Sequence, residues 1–131
     1  MQSLTLTILP QALAVCRLAP DAPLPDWLAT GAFWSATRTQ EELSLVIEER
    51  LVPPGSTAEY GWRCLKVQGP LDFSLTGVLA GLALPLAEAG ISIFVVSTYD
   101  TDYLLVRKEQ LERAIALLAA QGYQFEERTS A

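Results

Sequence analysis

Between residues 62 and 125 the chain alternates short apolar runs with two stretches of helical period, and this order restricts the fold more than any other feature. Residues 62–67 read as a strand, and Gly69 and Pro70 turn the chain. Leu75, Val78, Leu79, Leu82 and Leu86 then recur at spacings of three and four, an apolar stripe along one side of a helix. Asp72 or Ser74 is placed to cap its first N–H groups, and Gly90 to end it in a left-handed conformation with Ile91 making the accompanying apolar contact. Pro85 lies inside this helix and should bend it by removing one ladder bond. Residues 91–97 and 103–106 alternate as a hairpin across the loop 98–102. A second helix opens near Glu109, turns Leu111, Ile115 and Leu118 inward, and stops at Gly122. Residues 123–125 form a last short strand. The order is β-α-β-β-α-β, the split βαβ or ferredoxin-like unit, with an antiparallel sheet carrying both helices on one face.

The first half reads as a reduced copy. Leu4, Leu6 and Ile8 alternate with Thr5 and Thr7, and Pro10 ends that run; residues 12–18 form a second strand. Pro20, Pro23 and Pro25 break the chain before a short helical turn at residues 26–29, with proline tolerated at its start. Residues 33–37 and 43–47 are strands joined by a polar turn, and Pro53, Pro54, Gly55 and Ser56 mark a boundary. The expected organisation is an abbreviated unit over residues 1–57 and a full one over 58–131. Setting Thr37 against Thr98 places Leu43 on Leu104 and Leu45 on Val106, so the two hairpins superpose. The long helices are absent from the first copy.

Composition narrows the function. The chain of 131 residues is 50% hydrophobic, 18% charged and contains no histidine. Ser-His-Asp and Cys-His nucleophile arrangements, histidine bases and histidine metal sites are therefore excluded. A net charge of −6 argues against a general nucleic-acid surface, which needs Lys and Arg. Cys16 and Cys64 read as two buried free thiols, too few for a zinc site. No apolar run is long enough to span a membrane, and the N-terminus makes a poor signal peptide, so a cytoplasmic protein is the expectation. No phosphate loop, nucleophile elbow or dinucleotide fingerprint occurs, and no cofactor is implied. Trp27, Trp34 and Trp62 read as core or interface anchors, and Glu48-Glu49 and Glu126-Glu127 as solvated surface.

The stretch LKVQGPLDFSLTGVLAGLALPLAEAGISIFVVSTYDTDYLLVRKEQLERAIALL, residues 65–118, resembles the ACT-domain family, and within it the branch of the eukaryotic cytosolic arginine sensors. PLDFSLTGVLAGL and ISIFVVSTYDTDYLLV carry the likeness; the first half matches only by order of elements. The resemblance implies tandem ferredoxin-like ACT units in an α+β fold, the first abbreviated. It also implies a non-catalytic regulatory protein that binds a free amino acid at a contact between ACT units. The arginine sensors hold two such pairs and this chain holds one, which implies a homodimer.

The ligand residues so indicated are Asp72, Phe73, Ser74, Thr76 and Gly77 in the loop into the first helix, and Ser97, Thr98, Tyr99, Asp100 and Asp102 in the hairpin. Physical chemistry supports this pairing separately. Free N–H groups at the helix start suit a carboxylate. Gly69 and Gly77 permit close approach of a ligand, and the acids suit an ammonium or a basic side chain such as that of arginine. Asp72 serves equally as an N-cap, and Asp100 and Asp102 as turn acids. Two other functions fit the same residues: an oligomerisation or interaction module without ligand, and a hydrolase using Asp72, Asp100 and Asp102.

Overall fold

The computed structural model describes residues 4–69 and 77–128. Its strands are β1 (Thr5–Leu18), β2 (Trp34–Arg38), β3 (Leu43–Glu48), β4 (Ala58–Val67), β5 (Ile93–Ser97), β6 (Asp102–Arg107) and β7 (Gln124–Glu127); its helices are α1 (Val78–Glu88) and α2 (Leu111–Ala120). They pack as two compact units, Met1–Pro10 with Arg63–Ser130 and Gln11–Trp62. The units are not successive lengths of chain, because β1 and β4 each contribute a stretch to both.

In the helix-bearing unit the strands neighbour one another in the order β1, β4, β6, β5, with β7 on β1. One face presents Leu6, Leu65, Val67, Leu104 and Val106. Both helices bury their stripes there through Leu82, Leu86, Leu111, Ala114 and Leu118. The expected α+β arrangement, with two helices on one face of the sheet, is present. Both helix ends follow from their glycines. Gly90 (φ 76°) and Gly122 (φ 101°) are left-handed. The amides of Ile91 and Tyr123 return to the carbonyls of Leu86 and Leu118 at 2.9 and 3.2 Å, closing each last turn as a Schellman motif. Pro85 lies within α1; the acceptor it leaves without a helix donor is the carbonyl of Gly81. Gly81 itself is a packing glycine, since a Cβ there would stand 2.9 Å from the Tyr123 hydroxyl.

Several expectations are corrected in this unit. The N-cap of α1 is Gly77 (φ 81°) with no side-chain cap, so neither Asp72 nor Ser74 occupies that position; both lie outside the described residues. Leu79 is exposed, at the margin of a stripe centred on Leu82 and Leu86. The last strand does not complete an all-antiparallel sheet beside β4. β7 runs parallel to β1, pairing Gln124–Glu127 with Thr5–Ile8, while the Gln68 amide donates to the Thr5 carbonyl at 2.9 Å. The first strand of the chain has taken the place beside β4, because Leu4, Leu6 and Ile8 supply an apolar edge to the same core.

In the helix-poor unit the order is β2, β3, β1, β4, with only 3₁₀ turns at Asp26–Thr30 and Glu49–Leu51. The core is Ala14, Cys16, Leu28, Leu43, Leu45, Ile47 and Val52. Pro10 does not end the first strand: β1 is continuous, and the exposed Pro10 lies outside the stretches paired with β7 and β3, where a missing N–H breaks none of those bonds. Glu48 is not surface. It is 3% exposed and accepts hydrogen bonds from the amides of Ala32 (2.5 Å) and Phe33 (3.4 Å) and from Arg50 (3.2 Å). That set of donors is what permits a carboxylate to be buried. Trp62 is buried as expected, whereas Trp34 is 43% exposed.

The internal repeat is real, but its register differs by two residues from the one expected. Trp34–Arg38, Leu43–Glu48 and the turn Glu49–Leu51 match Ile93–Ser97, Asp102–Arg107 and the turn Lys108–Gln110 residue for residue, without insertion. Thr39, not Thr37, corresponds to Thr98. The Thr39 amide donates to the Glu42 carbonyl at 2.9 Å, and the Thr98 amide to the Thr101 carbonyl at 2.8 Å. In both turns the threonine hydroxyl accepts the last amide of the turn. Leu45 and Ile47 therefore correspond to Leu104 and Val106. A slip of two residues keeps every side chain on its own face, so alternation alone cannot reveal it.

Candidate functional site

The hairpin of the helix-bearing unit ends in a turn fixed by its own threonines. Besides closing the turn, Thr101 is 4% exposed and donates its hydroxyl to the Val67 carbonyl at 2.6 Å. The turn is thereby tied to the end of β4. Between them lies a cavity of 170 Å³ lined by Lys66, Gly69, Thr98, Asp100, Thr101 and Tyr103. Its size is close to that of cavities of ~150 Å³ that admit a benzene molecule, but its chemistry is polar and of both charges. Lys66 is the last residue but one of β4 and holds its ammonium 6.0 Å from the centre of the Tyr103 ring, the outer limit of a cation–π contact. Among the described residues neither Lys66 nor Asp100 takes part in an ion pair. Burial pushes the Tyr103 phenol up; the Cys64 thiol and Asp100 act in the same direction, and Arg128 opposes them.

Of the residues expected at the site, Thr98 and Asp100 line this cavity. Asp102 does not line it: its carboxylate accepts the Ser97 hydroxyl at 2.7 Å, across the first pair of the hairpin. Tyr99, 82% exposed, stands at the tip of the turn. Gly77 is glycine for its backbone; an added Cβ would meet nothing within 4 Å. Asp72, Phe73, Ser74 and Thr76 lie outside the described residues, as do the amides expected to hold a carboxylate. Lys66 and Thr101 were not expected. Lys66 had a signal in the sequence, a lone cation in the apolar run Cys64-Leu65-Lys66-Val67; Thr101 had none, because a threonine in a polar turn is unremarkable until its acceptor is known.

Cys16 and Cys64 are free and buried as expected, and burial pushes the Cys64 thiol up to about 12, far from a reactive thiolate. Among the described residues no group of three Cys, Asp or Glu side chains converges on a point that holds a metal. No helix among them is long and apolar enough to cross a membrane.

Known proteins share this framework. A family model described as an ACT domain matches residues 57–120, and a second, described as an N-terminal domain, matches residues 11–54. The chain is 34% identical over 98 residues to the cytosolic arginine sensor for mTORC1 subunit 1 of Bos taurus, a match that covers 66% of this chain and 30% of that protein. The chain thus spans about a third of the length of this relative. A solved protein of Agrobacterium tumefaciens is 38% identical with a TM-score of 0.93, over 99% of this chain and 97% of that one. The regulatory subunit of aspartate kinase from Thermus thermophilus, 13% identical, has the same fold with a TM-score of 0.60, over 84% of this chain and 92% of the other. These matches, together with a helix-bearing unit that carries α1 and α2 on one face of its sheet, make the chain a member of the ACT-domain family, in the branch of the cytosolic arginine sensors.

Proposed function

We propose that this chain is a non-catalytic regulatory protein that binds a free amino acid in the cavity between β4 and the β5–β6 turn. The observation that carries the reading is the pair Lys66 and Asp100, opposite charges on one open polar cavity with no ion-pair partner among the described residues. An amino acid presents one carboxylate and one ammonium. Lys66 meets the first and Asp100 the second, each through a charge-assisted hydrogen bond about twice as strong as a neutral one. Thr98 and Tyr103 add hydroxyls, and the exposed Gly69 leaves the backbone accessible. The likeness to an arginine sensor favours a basic amino acid. The amides of residues 73–76 remain part of the proposed site, and Asp102 supports it by holding Ser97.

The same reading includes a cytoplasmic homodimer with the ligand at a contact between ACT units. Tyr99 at the turn tip and Leu84 on α1 (60% exposed) give each copy apolar surface beyond its own core. As a division of the sequence, we keep 1–57 as the abbreviated unit and 58–131 as the ACT domain; the family matches end at residue 54 and begin at 57.

Calorimetric titration of the full chain with arginine, lysine and a neutral amino acid tests the site. Arginine should bind, and Asp100→Asn and Lys66→Met should each weaken it by about 1.5–3 kcal/mol, the usual cost of a hydrogen bond to a charged group. If no amino acid binds or raises the melting temperature at millimolar concentration, the interaction module without ligand replaces the sensor. Sedimentation that shows a monomer at high micromolar concentration removes the dimer.

A further inference from the structure

The helix-poor unit repeats the strand end and hairpin turn that border the cavity, and there two arginines are bound by the chain itself. Arg17 is the last residue but one of β1, as Lys66 is of β4. Whereas Lys66 faces an open cavity, Arg17 is engaged: its guanidinium pairs with the Glu42 carboxylate at 3.4 Å and donates to the Glu41 carbonyl at 3.1 Å, both in the turn that matches the Thr98–Thr101 turn. Arg38 stands where the other hairpin has Ser97. Ser97 is short and bonds within its own hairpin. Arg38 instead extends to the segment that follows β1, donating through one guanidinium nitrogen to the Pro20 carbonyl and through the other to the Ala22 carbonyl at 2.8 Å. In the helix-bearing unit the corresponding segment begins at Gln68 and Gly69, and Gly69 is a wall of the cavity.

We propose that Arg38 is a built-in occupant of this second site. Its planar fork bridges the hairpin to the segment after the first strand, as a free guanidinium ligand would, while Arg17 and Glu42 close the turn beside it. The chain then carries one open site and one filled by itself. This inference rests on the reading of the open site for the word "site", but its contacts are independent of whether that site binds anything.

The test is chemical rescue in the full chain. Arg38→Ser installs the residue of the open unit. Titrated with methylguanidinium in the millimolar range, well below denaturing concentrations, this variant should bind one equivalent more than the parent. Its melting temperature, lowered by roughly 2–8 °C through loss of two charged hydrogen bonds, should recover with methylguanidinium and not with methylammonium. No additional equivalent, or equal recovery with methylammonium, overturns the proposal. Arg38→Lys keeps the charge without the fork, and folds wherever charge alone suffices; it should also melt below the parent and respond to methylguanidinium. If it melts with the parent, the fork has no role and the proposal fails. The parent titration separately reports the open site, so failure of the sensor reading and failure of this one give different results.

Discussion

The two hairpins have one backbone plan and opposite fates. Trp34–Leu51 and Ile93–Gln110 share strand lengths, turn and terminal 3₁₀ turn. After Gln110 the chain continues into Leu111-Glu112-Arg113-Ala114 and becomes α2; after Leu51 it meets Val52-Pro53-Pro54-Gly55 and stops. Leu, Glu, Arg and Ala favour a helix, while a proline pair removes two donors and forces the preceding residue away from helical geometry. A few residues of local chemistry thus decide which copy acquires a second layer. The contrast extends to the turns. Position 42 is a glutamate in an exposed ion pair; the matching position 101 is a buried threonine bound to a strand carbonyl. One turn is held by charge at the surface, the other by a hydrogen bond in the interior, and among the described residues Arg17 is in an ion pair while Lys66 is not.

The equivalence of the hairpins is broken or upheld most directly at Leu104 and Leu45, matched positions exposed by 1% and 0%. Each Leu→Ala change should cost about 2–5 kcal/mol in urea unfolding; a cost below about 1 kcal/mol at Leu45 would show that the abbreviated copy has no true core. The next effect compares the two thiols. Burial raises Cys16 above its usual value and Cys64 to about 12. A raised native pKa means that the native state holds its proton longer than the unfolded state does. The stabilisation is therefore complete below pH 9.0, the unfolded value, and is lost as pH rises from there toward 12. The melting temperature should fall over this alkaline range, and Cys64→Ala should flatten that slope more than Cys16→Ala. Equal slopes would mean that the two thiols are equally accessible. The smallest effects belong to the turns: Thr101→Val should cost about 1–1.5 kcal/mol for a lost interior hydrogen bond, and Glu42→Gln no more than about 1 kcal/mol, with a loss that shrinks in salt. Reversal of that order would undo the distinction between them.

Much of the molecule was legible because it depends on neighbours in sequence. Both C′ glycines, the inward leucines of α2, the hairpins and the missing helices of the first copy follow from period, propensity and turn chemistry. The residues of 70–106 carry the family likeness, and of the ligand residues it indicated Thr98 and Asp100 line the cavity. Pairing over long range was not legible. Nothing near Pro10 announces that β1 continues through it, because whether a proline interrupts a strand depends on which amides its neighbours need. Nor could alternation distinguish Thr37 from Thr39 as the partner of Thr98, since a slip of two leaves the faces unchanged. Glu48 looked like surface because its buried donors, the amides of Ala32 and Phe33, lie far back in the chain. The sequence by itself determined most of the elements and the glycine ends of both helices, for which local chemistry is sufficient, and by its likeness the family. Tertiary structure alone decided that β7 joins β1, that Lys66 and Asp100 line one cavity, and that Arg17 and Arg38 are bound by the chain itself in the other copy. Each of these depends on residues brought together by strand pairing, and the period of a strand specifies its face but not its partner.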